Sequence, residues 1–373
     1  MNLLFITTMR HGHGAFSRQV MLASALAETN RVFWMGPTNP IGESVTHIPC
    51  GVNQKRNFGI FGPLWNIYLG YRQFRPSLAK IDCAITFREY DMAASLLVLP
   101  FAWQKVWFSR GDAISIQQFH QAHSNNSLFK IKNELSIYLL TLIHRYIFAH
   151  RAAVVFQAEF LRDRMVSRLK IIRASLSILP NHCYLPGETL SASVDQKLSS
   201  VRHIAMIAPI YLHAKGVDDF IALADRARET SLQFHVYGDG PDLDHAKAIA
   251  ARRGLSNIEF HGWIEGIESI LLAIDILIVP TKLFDACPNV VLEALQYERA
   301  ILASDIEAHQ NLLDSNQLYP AGNLNALYEK LKSLIDDDIA LNNNIALSRK
   351  AKDRYSFDWA AKAMLIINQV SLY

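Results

Sequence analysis

The chain has 373 residues, of which 50% are hydrophobic and 19% are charged, and its formal net charge is +3. This length predicts two domains with sizeable cores, and so small a net charge gives no support for a nucleic-acid partner. The cysteines are scattered without a C-x-x-C pair, which argues against a disulfide framework or structural zinc and fits a reducing cytosol. They are Cys50, Cys83, Cys183 and Cys287.

Short apolar runs alternate with amphipathic segments along the whole chain, which is the pattern of parallel α/β units. The predicted strands are Leu3–Thr7, Val32–Met35, Ala84–Phe87, Val106–Phe108, Ala153–Phe156, His203–Ala208, Gln233–Tyr237, Ile258–Phe260, Ile276–Val279 and Ala300–Ala303. The predicted helices include Phe16–Glu28, Gly216–Glu229, Asp242–Arg253 and Leu324–Asp336. The N-terminal apolar run follows no basic segment and predicts a strand rather than a signal peptide. No run approaches about 18 apolar residues, so we expect no transmembrane helix.

A linker is predicted at Leu179–Pro186 and the polar residues 187–200 that follow. The first domain is therefore expected over 1–182 and the second over 183–354. Each is predicted to be a Rossmann-like, doubly wound α/β domain. Two such domains facing each other are expected to bind a ligand in the cleft between them, at the carboxyl ends of the strands.

The segment from Ser44 to Ile81 contains no acidic residue and interleaves cations with aromatic side chains. Such a composition is typical of surfaces that dock onto an anionic membrane, and we expect peripheral contact through about 55–76. The alternatives are an aromatic-rich core loop and, less favoured, a nucleic-acid surface. A second apolar segment, Leu128–Arg151, is interpreted as a long buried helix of the first domain rather than as a membrane contact.

The segment Asp285–Glu293 places two carboxylates on either side of a proline, just after a predicted strand. Proline is favoured at the first position of a helix, so a helix starting at Pro288 would leave the N–H groups of Asn289 and Val290 pointing outward. A helix start binds anions such as phosphate. Glu293 shares a helix face with Asn289, so the segment suits a ligand with phosphates and hydroxyls, such as a nucleotide sugar. Carboxylates that merely complement the helix dipole are the alternative.

The second half resembles the C-terminal domain of GT-B fold glycosyltransferases, specifically the large retaining group called family 4 (glycosyl transferases group 1). The motifs that carry the resemblance occur in the family's order. They are Ala214–Phe220, Phe234–Pro241, Ile258–Ile264, Asp285–Glu293 and Ala303–Ile306, with Leu179–Asn181 as the linker and Tyr355–Trp359 as the return helix. The resemblance covers residues 150–373 well and 1–149 less well. It implies that a C-terminal helix, about 355–373, completes the first domain.

The resemblance also implies a donor site and a metal-independent reaction with no cofactor beyond the nucleotide sugar. Lys215 would neutralise the diphosphate, and Asp285 would bind hydroxyls of the transferred sugar. Glu293 would accept hydrogen bonds from the ribose. Other donor contacts would come from the helix start at Pro288, Asn289 and Val290 and, around the base, from Trp263, Ile264, Gly238 and Gly240.

The sequence departs from the family pattern in three places. Asp285 replaces the usual Glu and is one methylene shorter. Ala208–Ala214 lacks the usual Arg, for which His213 is a candidate substitute. The usual histidine of the first domain is missing, and the residues that would replace it at the catalytic centre are Arg110 or Asp112, with His120 or His123 as further candidates.

In the first domain, Arg10–Ala15 matches the position of the family's Gly-rich loop, which implies that Gly14 lies near the donor phosphates. Glycine permits a close backbone approach, and His11 or His13 would contact the acceptor or act as a base near neutral pH. A simple tight turn is the alternative. The loop is not a dinucleotide fingerprint, because Ser17 occupies the third glycine position.

Together these features predict a retaining glycosyltransferase that uses a nucleoside diphosphate sugar and a glycan or lipid-linked acceptor. It is expected to work in cell-envelope polysaccharide synthesis in the cytoplasm, at the inner face of the membrane. A non-catalytic nucleotide-sugar-binding protein is the alternative, and a nucleotide-sugar epimerase is a less favoured one.

Overall fold

The structure, a computed structural model, describes residues 1–8, 14–50, 62–122, 127–183, 202–264, 266–283 and 285–370, without the side chains of 15 and 120. The chain divides into two compact units. The first is formed by Met1–Pro180 with Asp358–Tyr373, and the second by Asn181–Phe357. These bounds lie within a few residues of the division expected from the linker and the return helix.

The first unit contains a parallel sheet of seven strands in the order β3-β2-β1-β4-β5-β6-β7. The strands are β1 Asn2–Ile6, β2 Arg31–Gly36, β3 Thr46–Pro49, β4 Cys83–Thr86, β5 Gln104–Ser109, β6 Ala153–Phe156 and β7 Ser175–Ile178. The helices are α1 Gly14–Ala27, α2 Gly62–Phe74, α3 Glu89–Val98, α4 Ala113–Ala122, α5 Ser127–Ala149, α6 Glu159–Val166 and, after the second unit, α14 Trp359–Val370.

The second unit contains a parallel sheet of six strands in the order β10-β9-β8-β11-β12-β13. The strands are β8 His203–Ile207, β9 Gln233–Tyr237, β10 Ile258–Gly262, β11 Ile276–Val279, β12 Ala300–Ser304 and β13 Leu318–Tyr319. The helices are α7 Val217–Arg226, α8 Leu243–Arg252, α9 Ile267–Ala273, α10 Asn289–Gln296, α11 Glu307–Leu312, α12 Leu324–Asp336 and α13 Asp338–Tyr355. The two sheets confirm the predicted α/β class.

Central strands form where the sequence is apolar without interruption, because helices cover both faces of a parallel sheet. All four residues of β11, for example, are buried. Buried side chains on one face of the second sheet pack with α7, α8 and α12, and those on the other face pack with α9, α10 and α13.

Each sheet has a switch point, where the chain reverses the direction in which it adds strands. In the first sheet the switch lies between β1 and β4, and in the second it lies between β8 and β11. The loops that follow the two strands of a switch point diverge to opposite faces and leave a crevice there. The topology therefore selects the loops after β8 and β11 as the place to look for a ligand site in the second unit.

The long helix α5 corrects one expectation, because it is not buried. Its buried side chains include Leu140 and Phe148, and the Phe148 ring packs against Trp107 of β5 and Phe156 of β6. The opposite side exposes a stripe of large apolar side chains at spacings of three and four residues, namely Leu128, Ile131, Leu135, Tyr138 and Leu142. Among the described helices none is both long enough and apolar enough to cross a membrane.

Candidate functional site

The ion pair between Lys215 and Asp285 lies at the switch point of the second sheet. Lys215 follows β8 and Asp285 follows β11, and the Nζ and Oδ2 atoms are 3.3 Å apart. Burial alone would raise the pKa of Asp285, but the Lys215 ammonium and the Ala286 N–H together hold it below its ordinary value. The site thus presents a cation beside a carboxyl group whose ionised form is favoured.

Backbone contacts hold these two loops together. The N–H groups of Lys282 and Leu283 both donate to the carbonyl of Ala214, at 3.0 Å each. Gly216 has a φ of +70°, and a Cβ atom placed there would lie 2.0 Å from the carbonyl oxygen of Pro280. Only glycine permits so close an approach in this left-handed conformation. The position of Lys215 is therefore set by the glycine that follows it.

A second lysine in the same loops is already neutralised. Lys282 contacts Asp218 at 3.1 Å and Asp219 at 2.8 Å, both in the first turn of α7. His213, the proposed substitute for the family's arginine, has its Nδ1 atom 2.8 Å from Asp218 and is largely exposed. Its hydrogen-bond partner is thus a carboxylate of its own loop, and nothing in this geometry directs it to a diphosphate.

The helix start predicted at Pro288 is displaced by one residue. Pro288 is the N-cap, with an extended ψ of 119°, and α10 begins at Asn289. The side chain of Asn181 fixes this turn by donating to the carbonyl of Cys287 at 3.2 Å and to the Asn289 side chain at 2.8 Å. The first N–H groups of any α-helix lack partners within the helix, so α10 points its donors out of the switch-point end of the sheet.

The other predicted donor residues lie around the carboxyl ends of the same sheet. Glu293 is half-buried on α10, one turn after Asn289. Trp263 and Ile264 directly follow β10 and are exposed, Trp263 by 73%. At Gly238, which follows β9 with a φ of +135°, a Cβ atom would lie 1.9 Å from the carbonyl oxygen of Ala208.

The structure adds one buried residue that the sequence analysis did not select. His309 on α11 is fully buried, and its Nδ1 atom lies 2.7 Å from the carbonyl oxygen of Ser304. A carbonyl only accepts hydrogen bonds, so Nδ1 carries the proton. Burial lowers the pKa of His309 to about 4, and its buried Nε2 atom has no hydrogen-bond partner among the described residues. His309 is therefore a neutral imidazole near Asp285, and its Nε2 atom can accept a hydrogen bond.

In the first unit, Gly14 begins α1, and the histidine predictions His11, His13 and His123 fall outside the described residues. The side chain of His120 is likewise not described.

The described part of the first switch point contains a charged cluster that was not anticipated. Buried Asp91 accepts from the N–H of Thr8 at 3.2 Å and from its hydroxyl at 2.6 Å, while Arg88 Nη1 donates to that hydroxyl at 3.2 Å. Burial raises the pKa of Asp91 and also that of the half-buried Glu89 beside it. The sequence feature that could have predicted this cluster is the set of charged residues within 88–91, directly after a predicted strand.

The two catalytic candidates after β5 have different surroundings. Asp112 is fully buried, with its carboxylate 2.7 Å from Arg168 and 2.5 Å from the Ser115 hydroxyl. Burial would raise the pKa of Asp112, but hydrogen bonds from Arg168 and Ser115 lower it. These contacts hold the Asp112 carboxylate in an ion pair just before α4. The guanidinium of half-buried Arg110 lies 5.8 Å from the ring centroid of Phe87.

The chain forms two doubly wound parallel domains, which is the GT-B class of fold. The second domain has a cation–carboxylate pair and a helix start at its switch point. Residues 201–337 match the family model described as Glycosyl transferases group 1. This match covers the second sheet and confirms the resemblance of that half of the chain to group 1 glycosyltransferases.

Solved structures confirm the fold over the whole chain. Sucrose-phosphate synthase from Thermosynechococcus elongatus is 14% identical with a TM-score of 0.76, covering 99% of this chain and 98% of that one. HepE of Anabaena, in complex with UDP and glucose, is 13% identical with a TM-score of 0.76 and full coverage of both chains. WaaG, a glycosyltransferase involved in lipopolysaccharide biosynthesis, is 15% identical with a TM-score of 0.72, covering 100% of this chain and 99% of that one. A search of curated protein sequences finds no significant match.

Proposed function

We propose that this protein is a retaining glycosyltransferase that moves a sugar from a UDP-, GDP- or ADP-type donor to a glycan or lipid-linked acceptor. The observation that carries the proposal is the Lys215–Asp285 pair, which lies at a switch point within the segment matched by the group 1 family. Two similar folds add support. HepE has been solved with UDP-glucose, and WaaG is described as acting in lipopolysaccharide biosynthesis, which agrees with a role in cell-envelope polysaccharide synthesis.

The proposed donor site uses two kinds of positive charge. The Lys215 ammonium would lie against the diphosphate, and the N-terminus of α10 would direct backbone N–H groups at the same anion. Asp285 and Glu293 would accept hydrogen bonds from hydroxyls of the sugar and the ribose. Lys215 and Asp285 are in contact when no ligand is bound. A diphosphate would therefore compete with the Asp285 carboxylate for the Lys215 ammonium. Donor binding would thereby release the carboxylate for the sugar.

The proposed reaction needs no protein nucleophile and no metal. The bond between the anomeric carbon and the β-phosphate oxygen breaks, and the acceptor oxygen bonds to that carbon on the same face. The proton of the acceptor hydroxyl passes to the departing phosphate oxygen. Lys215 and the helix start stabilise the negative charge that develops on the diphosphate, which is the main electrostatic task in such a reaction.

The reaction is tested by incubating the protein with UDP-, GDP- and ADP-sugars, with and without glycan and lipid-linked acceptors, and measuring release of the nucleoside diphosphate. We expect acceptor-dependent release that persists in chelator, and a product whose anomeric configuration, read by NMR, is that of the donor. Inversion of configuration would contradict the retaining mechanism. The variant Lys215→Ala removes the proposed cation of the donor site. Its matched control is Lys247→Ala, which changes an exposed lysine of α8.

A non-catalytic sugar-nucleotide-binding protein remains the second candidate, since His213 is bound to Asp218 and no arginine occupies Ala208–Ala214. Tight donor binding without turnover on any acceptor would favour it. A product epimerised at C2 in the absence of acceptor would instead indicate an epimerase.

Peripheral membrane contact through the first domain is part of the proposal. Residues 55–61 of the predicted 55–76 segment lie outside the described residues, but α2 exposes Trp65, Tyr68 and Leu69 and carries exposed Arg72. Helix α2 packs against α3, and α3 packs against α5 with its exposed apolar stripe. Cations beside interfacial aromatics favour the anionic surface on the cytoplasmic side of a membrane.

Sedimentation with lipid vesicles tests this contact. The wild type is expected to bind phosphatidylglycerol vesicles more strongly than phosphatidylcholine vesicles, and less strongly in high salt. The double variant Trp65→Ala/Arg72→Glu should lose most of the binding. Leu365→Ala removes an even more exposed apolar side chain from α14 and should bind as the wild type does. Equal binding by both variants would exclude α2 as the contact.

A further inference from the structure

Three histidines form a ladder across neighbouring strands of the second sheet. His203 on β8, His235 on β9 and His261 on β10 follow one another, with 3.0 Å between His203 Nδ1 and His235 Nε2. The same distance separates His235 Nδ1 from His261 Nε2. Glu259 on β10 pairs in register with His235, and His261 lies at the register shift between Phe260 and Gly262. The contacts of His261 with His235 and Glu259 place all these side chains on one face of the sheet.

Three ligand atoms of this ladder form a compact triangle. Besides the 3.0 Å between the two nitrogens, Glu259 Oε2 lies 3.9 Å from His235 Nδ1 and 3.7 Å from His261 Nε2. A point equidistant from three atoms with these separations lies about 2.1 Å from each of them. Zinc binds imidazole nitrogen at about 2.0–2.1 Å and carboxylate oxygen at about 2.0–2.2 Å. The triangle therefore has the size of a metal coordination shell.

We propose that His235, Glu259 and His261 bind a divalent transition-metal ion of the zinc type. The two imidazoles are borderline ligands, so the set suits Zn²⁺ and its neighbours better than the oxygen-preferring Mg²⁺. The exposed fractions of the three side chains are 14%, 65% and 28%, in that order, so the ion has access from solvent. Water would complete its coordination.

His203 has the position of an outer partner of this site. When the metal takes the Nδ1 lone pair of His235, the Nε2 atom of that ring carries the proton and donates it to His203 Nδ1. Such an outer hydrogen bond fixes the tautomer and the orientation of a metal-bound imidazole. His203 itself is fixed at the start of β8, where its backbone N–H donates to Asp275 at 2.8 Å.

The ion would stabilise the edge of the sheet. β10 is an edge strand, with β9 as its neighbour in the sheet. A metal bound to His235 of β9 and to two residues of β10 adds a cross-strand link beyond the backbone hydrogen bonds. This inference does not rest on transferase activity, and the ion takes no part in the proposed reaction.

The test is zinc binding by the full chain after removal of metals with a chelator, measured by calorimetry and by competition with a chromogenic chelator. We expect the wild type to bind one more equivalent of zinc than His261→Ala and Glu259→Gln, and to melt at a higher temperature with zinc than without. His203→Ala should keep the site but weaken it roughly tenfold to a hundredfold. His245→Ala, which changes an exposed histidine of α8, should bind as the wild type does.

Cobalt substitution distinguishes a defined site from loose surface binding. Co²⁺ in the wild type should show the visible absorption of a low-symmetry, nitrogen-ligated ion, and that absorption should be lost in His261→Ala. Circular dichroism of the metal-free variants shows whether they fold. Folded His261→Ala that binds as much zinc as the wild type would overturn the proposal, as would Mg²⁺ competing equally with zinc. The ladder would then be held by hydrogen bonds between neutral imidazoles alone.

Discussion

The two switch points have the same topology but opposite electrostatics. In the second sheet, Asp285 contacts Lys215, and that ammonium helps to hold the pKa of Asp285 below its ordinary value. In the first sheet, burial raises the pKa of Glu89 and of Asp91, although Arg88 lies close to both. The surroundings thus favour the ionised carboxyl group at one switch point and disfavour it at the other.

This difference indicates different chemical tasks. A fixed cation beside a fixed anion suits a ligand that carries both a diphosphate and hydroxyls. Carboxyl groups whose pKa is raised are closer to gaining a proton, which suits neutral hydroxylated ligands or proton transfer. The same α/β frame therefore holds a carboxyl group with a lowered pKa in one domain and carboxyl groups with raised pKa in the other.

Removal of the cation from the second switch point is expected to have the largest effect. Lys215→Ala should reduce the rate of glycosyl transfer by on the order of a hundredfold to a thousandfold, because a preorganised group stabilising the departing diphosphate is lost. The measurement is the turnover rate with the donor on which the wild type is active. If Lys215→Ala and Lys247→Ala are equally active, the second switch point is not the donor site.

The next largest effect is on stability and concerns the turn that holds Lys215. Gly216→Ala should lower the free energy of unfolding by about 2–4 kcal/mol, through left-handed strain and a steric clash with the Pro280 carbonyl. Gly254→Ala is the matched control, since its φ is +64° but nothing lies within 4 Å of the added Cβ. It should cost only about 1–2 kcal/mol in denaturant unfolding. Equal losses would show that the loop contact is unimportant.

A smaller effect is expected on donor affinity. Glu293→Ala should weaken donor binding by on the order of 1–3 kcal/mol, because hydrogen bonds from ribose hydroxyls to a carboxylate are lost. Calorimetric titration with the nucleoside diphosphate measures this, and Glu229→Ala on the exposed end of the α7 region is the control. Unchanged affinity in Glu293→Ala would remove the ribose role from this residue.

The smallest effect tests the first switch point through pH. The folded pKa of Glu89 is raised above the unfolded value of 4.5, so ionisation costs stability as the pH rises from about 4.5 through the folded pKa. Glu89→Gln should therefore be more stable than the wild type at pH 7, by less than about 1 kcal/mol, and should lose that advantage at pH 4. Urea unfolding at both values measures it. Exposed Glu43→Gln is the control, and a stability difference that does not change with pH would contradict the assignment.

The sequence predicted central strands more readily than edge strands. A central strand of a parallel sheet is covered on both faces and reads as a continuous apolar run, as Ile276–Val279 does. The strands that were not predicted, Thr46–Pro49, Ser175–Ile178 and Leu318–Tyr319, all lie at sheet edges. An edge strand needs less burial, and three residues of Thr46–Pro49 are indeed not buried.

The helix α5 was predicted from its apolar composition, but its environment was not predicted correctly. An apolar helix in a sequence is assumed to be covered, and only the packed structure shows that Leu135 and Tyr138 have no covering element among the described residues. In the same way, the sequence made Asp112 a candidate catalytic residue. Only the structure shows that it forms an ion pair with Arg168, which lies in the turn after α6, far from it in the sequence.

By itself, the sequence determined the elements whose signal is local. These are the apolar runs of the central strands, the proline at the start of α10 and the order of the motifs from Ala214 to Glu293. The tertiary structure alone decided what depends on strand order and register. It brought Lys215 to within 3.3 Å of Asp285 by placing β8 next to β11. It also placed His235 opposite Glu259, because parallel pairing joins residues that no sequence spacing connects.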